Sequence, residues 1–138
     1  MYELFDHTAD LGLRVHAPDL QTLLADAGRG LCAMLVDNPQ EVRPSREETL
    51  RVPGSAGQPE YLLFDWLNAL LHRFEAAGML FTDFEVRLDE TGLRATARGE
   101  PADPDRHQLA HEVKAITYHG LTCEPTSDGW RAEVIVDI

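Results

Sequence analysis

Lysine is almost absent from this chain. Eleven of its 12 basic residues are arginine, and Lys114 is the single lysine. Cations as a class are scarce: 24 acidic residues outnumber them two to one, leaving a formal charge of −12. A grip on nucleic acid needs clustered cations against phosphates, so strong direct binding of RNA or DNA is not expected. Only two cysteines occur, Cys32 and Cys123. Their separation excludes a paired zinc motif and suits buried free thiols in a reducing compartment. No apolar run approaches the ~18 residues that a membrane helix needs. The N-terminal Met-Tyr-Glu-Leu-Phe-Asp has no basic n-region and no long apolar stretch, so no secretory signal is expected. The cytoplasm is the expected compartment.

What is present suffices for one domain spanning residues 1–138. The composition is 43% hydrophobic and 26% charged, which reads as globular rather than disordered. A chain of this size buries roughly two thirds of its unfolded surface.

Periodicity supplies the elements. Tyr2 to Phe5 is short and β-prone, and Asp6 to Asp10 reads as a polar loop or turn. Leu11, Leu13 and Val15 alternate with Gly12, Arg14 and His16, the pattern of a half-buried strand. Asp19 stands as the N-cap of a helix whose apolar set runs from Leu20 through Leu23, Leu24, Ala27 and Leu31 to Leu35. Gly28 and Gly30 interrupt it, either for close packing or as a break, at about 1 kcal/mol each relative to alanine. A short strand is expected at Leu50–Val52. Pro59 opens a second helix, Leu63, Trp66, Leu67, Leu70 and Phe74 form its stripe, and Gly78 caps it. Phe84–Leu88 and Leu93–Ala97 alternate as a hairpin. His107–Val113 reads as a short helix and Ile116–Cys123 as extended. After a turn at Thr126–Gly129, Trp130–Ile138 forms a last strand, with Trp130, Ala132, Val134 and Val136 on one face and Arg131, Glu133, Ile135 and Asp137 on the other. The sum is an α+β fold: two main helices packed on mostly antiparallel β-sheets as a layered sandwich in a single domain.

Several motifs fail on context. Gly28-Arg29-Gly30-Leu31-Cys32-Ala33 matches a dinucleotide fingerprint on paper but sits inside a helical pattern rather than after a strand. Gly54–Gly57 has the wrong spacing for a nucleophile elbow. Asp103-Pro104-Asp105 lacks the glycine and distal glutamate of an EF-hand loop. His107 and His111, four apart, would share a helical face and could chelate zinc, but two ligands are a weak signal beside the bland reading of a polar helix face.

Two features carry chemistry. Asp137 precedes Ile138, so a side-chain carboxylate stands beside the α-carboxylate. If the loop His7–Gly12 folds beside them, Asp10 adds a third acid, and an oxygen-only set favours Ca²⁺, Mg²⁺ or Mn²⁺ over zinc. The bland alternative is a set of solvated acids with one aspartate capping a turn. The second feature is Glu112–Gly120, which sets Lys114, Tyr118 and His119 among apolar residues. If extended, it would place Lys114 and Tyr118 on one face, with a snorkelling lysine as the bland alternative.

Asp6-His7-Thr8-Ala9-Asp10-Leu11-Gly12, Val113-Lys114-Ala115-Ile116-Thr117-Tyr118-His119 and the terminal Val136-Asp137-Ile138 together resemble the archease family, as does the helix segment Leu63–Leu71. The resemblance spans nearly the whole chain. It implies a non-catalytic protein cofactor of the GTP- and Mn²⁺-dependent RNA-splicing ligase, which joins 3′-phosphate to 5′-hydroxyl ends in tRNA splicing or RNA repair. Such a cofactor promotes the ligase's guanylylation and multiple turnover. The family's divalent-cation site falls on Asp10, Asp137 and the Ile138 carboxylate, with Ca²⁺ expected first and Mg²⁺ or Mn²⁺ next. Its functional lysine falls on Lys114, and His7 is assigned with Lys114 to partner contact. No catalytic residues are assigned. Two alternatives stand beside this reading: a chaperone or specificity factor for a tRNA-modifying methyltransferase, and a metal-dependent hydrolase using the same acids.

Overall fold

The computed structural model describes residues 1–7 and 10–138, with His7 described by its backbone alone. Its elements run β1 (Tyr2–His7), β2 (Asp10–Ala17), α1 (Leu20–Leu35), a 3₁₀ turn at Pro39–Glu41, β3 (Arg46–Pro53), α2 (Pro59–Ala77), β4 (Met79–Asp89), β5 (Gly92–Pro101), β6 (Ala115–Ile116), β7 (Thr122–Thr126) and β8 (Gly129–Asp137). They make two antiparallel sheets. One has five strands in the order β1-β2-β8, with β6 and β7 both on the far side of β8, and the other has three in the order β3-β5-β4. Each helix contacts both sheets, so the expected α+β sandwich is the one observed.

α1 is buried on most of its circumference, as its largely apolar sequence requires. Asp19 caps it, with Oδ1 accepting from the Thr22 N–H at 2.8 Å. The helix does not break at its glycines. A Cβ at Gly28 would lie 2.8 Å from the Phe84 ring of β4, and one at Gly30 would lie 2.4 Å from Leu13 Cδ1 of β2. The two glycines let one helix approach both sheets. α2 begins at Pro59 and ends where Gly78 turns left-handed at φ 67°, its N–H donating to Phe74 O at 2.7 Å. Trp66 joins the helices: it is fully buried, donates Nε1–H to Leu24 O at 2.8 Å, and meets Phe84 edge-on.

Three local expectations change. Asp6, His7 and Asp10 belong to strands β1 and β2 rather than to a loop. Residues 107–113 form no helix. The Ala110 and His111 N–H groups instead donate to Leu35 O and Met34 O, filling carbonyls that the end of α1 leaves open, and Leu109 bridges to Val36. The segment after β6 is not continuously extended. Thr117 Oγ1 bonds Ile135 O, and Leu121 N–H turns back to Tyr118 O before β7 begins.

Candidate functional site

Register builds the site. In the five-stranded sheet His7 lies opposite Asp10, Asp10 opposite Asp137, and Asp137 opposite Ala115. Four strands thus place His7, Asp10, Asp137 and Ala115 in one cross-strand row at the sheet's end. The alternation of β2 and β8 explains which face the row uses. Leu11, Leu13, Val15, Ala132, Val134 and Val136 turn inward and are buried, so Asp10 and Asp137 fall on the outer face. Opposed residues in an antiparallel pair hold their Cβ atoms roughly 4.5–5.5 Å apart. The Lys114 N–H donates to Asp137 O at 2.8 Å, tying the β6 segment to the same edge, while the Lys114 side chain is exposed. Ile138, next after Asp137, packs against the core.

The neighbouring rows insulate the acids. Phe5, Gly12 and Ile135 form the next row inward, with the Phe5 ring where a Gly12 Cβ would be. Beyond it Arg14 bonds Glu3 at 2.7 Å and Glu133 at 3.1 Å, and its guanidinium lies 4.6 Å from the Phe5 ring centroid. Glu133 foremost, with Glu3, holds Arg14 above its ordinary pKa. Among the described residues no basic side chain pairs with Asp137.

Two opposed aspartates repel, and a cation between them would relieve that. The two aspartates offer oxygen donors, the kind that suits a hard divalent cation. Among the described residues no three His, Cys, Asp or Glu side chains gather to hold a metal ion. The His7 side chain, together with Thr8 and Ala9, lies outside the described residues.

Other sequence candidates separate. Tyr118 leaves the strand and stacks on Phe64 at 3.9 Å, with Tyr61 edge-on at 6.1 Å, so it does not share a strand face with Lys114. His107 is buried with both ring nitrogens engaged. Nε2 lies 3.1 Å from Glu100, and Nδ1 accepts the Asp103 N–H at 2.8 Å, which leaves no lone pair for zinc. The Glu100 carboxylate also accepts from the Arg43 N–H and from Arg106. Burial pushes its pKa up, but these donors outweigh burial and hold it below the ordinary value. Sequence reading missed this centre, because the acidic, proline-containing stretch Glu100–Asp105 reads as a loop, whereas Glu100 belongs to β5. Cys32 and Cys123 are buried thiols, both pushed up to about 12 by burial, with Glu60 and Glu124 adding to the rise at Cys123. Among the described residues no helix is long and apolar enough to cross a membrane.

Comparison with known proteins agrees over the full length. Residues 2–138 match the model of the Archease protein family (MTH1598/TM1083). The chain is 42% identical to the protein archease of Methanopyrus kandleri, covering 99% of each chain. It is 35% identical to that of Pyrococcus abyssi, covering 99% of this chain and 98% of that one. The solution structure of Methanobacterium thermoautotrophicum protein 1598 superposes with a TM-score of 0.81 at 29% identity, over 99% of this chain and 98% of that one. A Thermotoga maritima archease, described as a possible chaperone, shares the fold with a TM-score of 0.67 at 20% identity, over 100% and 98% of the two chains. With its motif boxes, its two-sheet fold and its relatives in agreement, the chain belongs to the archease family.

Proposed function

We propose that this chain is a non-catalytic cofactor of a GTP- and Mn²⁺-dependent RNA-splicing ligase and acts through the end of the five-stranded sheet. The observation that carries the reading is the cross-strand pairing of Asp10 with Asp137 beside the chain's last residue. In this reading Asp10, Asp137 and the Ile138 α-carboxylate hold a divalent cation, Ca²⁺ first, which supplies a hard positive centre for oxygen ligands. Lys114 and His7 flank that row and contact ligase groups or phosphate. The rest of the domain is a rigid mount that presents the row to the ligase's nucleotide and metal pocket, favouring the arrangement needed for guanylylation.

The test is multiple-turnover ligation of 3′-phosphate and 5′-hydroxyl RNA ends by the cognate ligase with GTP and Mn²⁺, with this chain substoichiometric. Stimulation is expected with the parent chain. It is expected to fall by about tenfold or more, or ~1.4 kcal/mol, in Asp137→Ala and in a chain lacking Ile138. Unchanged stimulation in both variants overturns the reading. A second reading is a chaperone or specificity factor for a tRNA-modifying methyltransferase; its chaperone part matches the description of the Thermotoga relative as a possible chaperone. That reading predicts a stoichiometric complex with the methyltransferase and no effect on ligation.

A further inference from the structure

The outer face of the three-stranded sheet is a grid of polar residues. Its rows are Glu47–Arg98–Asp83, then Thr49–Thr96–Glu85, then Arg51–Arg94–Arg87. In the first row the charges alternate, and Arg98 bonds Glu47, Asp83 and also Glu85 at 3.2–3.3 Å. In the third row three exposed arginines stand side by side on neighbouring strands. Like charges directly opposed across strands are destabilising.

The anomaly is sharpened by how the chain treats its other cations. Of the nine other basic side chains, six, Arg14, Arg29, Arg73, Arg98, Arg106 and Arg131, have a carboxylate partner, while Arg43, Arg46 and Lys114 stand apart from one another. Acids outnumber bases two to one, yet among the described residues no carboxylate comes within ion-pair distance of Arg51, Arg87 or Arg94. A hollow of about 310 Å³ lies beside Arg51 and Arg94, lined also by Thr91 and Asp89. Asp89 is the one carboxylate there; its Oδ1 accepts from the Thr91 N–H and hydroxyl at 2.8 and 2.6 Å, and it attracts Arg94 only from beyond ion-pair distance.

From this arrangement we propose that the Arg51–Arg94–Arg87 row is a contact site for the phosphodiester backbone of a single-stranded nucleic acid. Planar guanidinium forks match phosphate oxygens in pairs, and an arginine row is the fitting form for that contact. The grid favours a backbone over an acidic protein surface. None of its nine positions is apolar, so it offers no buried anchor of the kind that centres a protein interface. The threonines of the middle row add neutral hydrogen-bonding groups beside the guanidinium row. A net charge of −12 keeps the contact weak, in line with the expectation that strong nucleic-acid binding is absent. The proposal does not rest on the ligase reading, since its test contains no ligase.

The full chain is titrated with a short oligouridylate and followed by amide-resolved NMR at low ionic strength, about 10 mM, where the Debye length is roughly 30 Å. Perturbations are expected at residues 49–53 and 85–94. For three phosphate contacts on a single strand, log K should fall against log salt with a slope of about −2. The Arg51→Gln, Arg87→Gln, Arg94→Gln triple variant should bind about tenfold more weakly with a flattened slope. These positions are exposed, so an unchanged amide spectrum elsewhere verifies the fold. Arg131→Gln, on the five-stranded sheet, should bind as the parent does. Perturbations centred elsewhere, or unaltered binding by the triple variant, overturn the proposal. Equal binding of a short polyglutamate would assign the row to acidic polypeptides and overturn it as well.

Discussion

The two sheets share both helices, and they treat α1 differently. α1 meets the five-stranded sheet through Gly30 against Leu13 and the three-stranded sheet through Gly28 against Phe84. Their outer faces differ as sharply. One sheet ends in a row with two opposed aspartates, and the other carries a row of three arginines. Each row concentrates charge of one sign that the sequence scatters over distant segments. Strand register, rather than sequence proximity, turns isolated acids and bases into local fields.

The strongest way to break this comparison is to cut what joins the sheets. Glu100 lies at the end of β5. Its bonds to Arg43 N–H, Arg106 and His107 fix the turn from which the chain runs past the end of α1 to β6. Glu100→Ala leaves a buried histidine nitrogen, a backbone donor and a guanidinium without their acceptor, at an expected cost of about 3 kcal/mol. Denaturant unfolding measures it. The pH dependence has a definite sign. The carboxyl is held below its ordinary value of 4.5, so its stabilisation is complete above that pH and is lost as pH falls through the lowered folded value. The parent should therefore lose stability more steeply than Glu100→Gln below pH 4.5.

Next comes the shared helix. Alanine in place of glycine gains about 1 kcal/mol of helix propensity, while overpacking a filled core costs about 1–3 kcal/mol. At Gly30 the new methyl would sit 2.4 Å from Leu13, itself 1% exposed, so overpacking wins and Gly30→Ala should lose about 1–2 kcal/mol. At Gly28 the contact is 2.8 Å, to the end of the Phe84 ring, and a small void of about 10 Å³ adjoins both residues. The two contributions should nearly cancel there, within about 0.5 kcal/mol. Thermal unfolding of both variants checks the asymmetry; equal losses would mean that both sheets grip the helix alike.

These contacts also mark what the sequence made legible. Alternation located β2, β4, β5 and β8 because their inner faces are core, and the caps at Asp19 and Gly78 sit where Asx and αL chemistry require. The segment 107–113 misled because its spacing is helical while its N–H groups serve the end of α1, a tertiary demand that local pattern does not carry. β6 is two residues long, too short for any periodicity. Asp10 and Asp137 were nameable as chemistry, yet their pairing is a matter of register. The arginine row was invisible for the same reason, since Arg51, Arg87 and Arg94 are unremarkable until β3, β4 and β5 align them.

The smallest effects test the outer rows themselves. Without divalent cations, Asp137→Asn removes one opposed like-charge pair and should raise stability by about 0.5 kcal/mol. Arg94→Gln relieves two opposed pairs, because Arg94 lies between Arg51 and Arg87, but it also loses its attraction to Asp89. Its gain should be of the same order, about 0.5 kcal/mol. Added ligands then separate the rows. Calcium should stabilise the parent and Arg94→Gln but not Asp137→Asn, and oligouridylate should stabilise the parent and Asp137→Asn but far less Arg94→Gln, because a ligand that binds only the folded state raises its stability by an amount that grows with the logarithm of its affinity. Thermal shifts with each variant and each ligand decide it. If calcium stabilised Asp137→Asn as much as the parent, the aspartate row would be an ordinary solvated edge, and the contrast between the sheets would come down to the arginines alone.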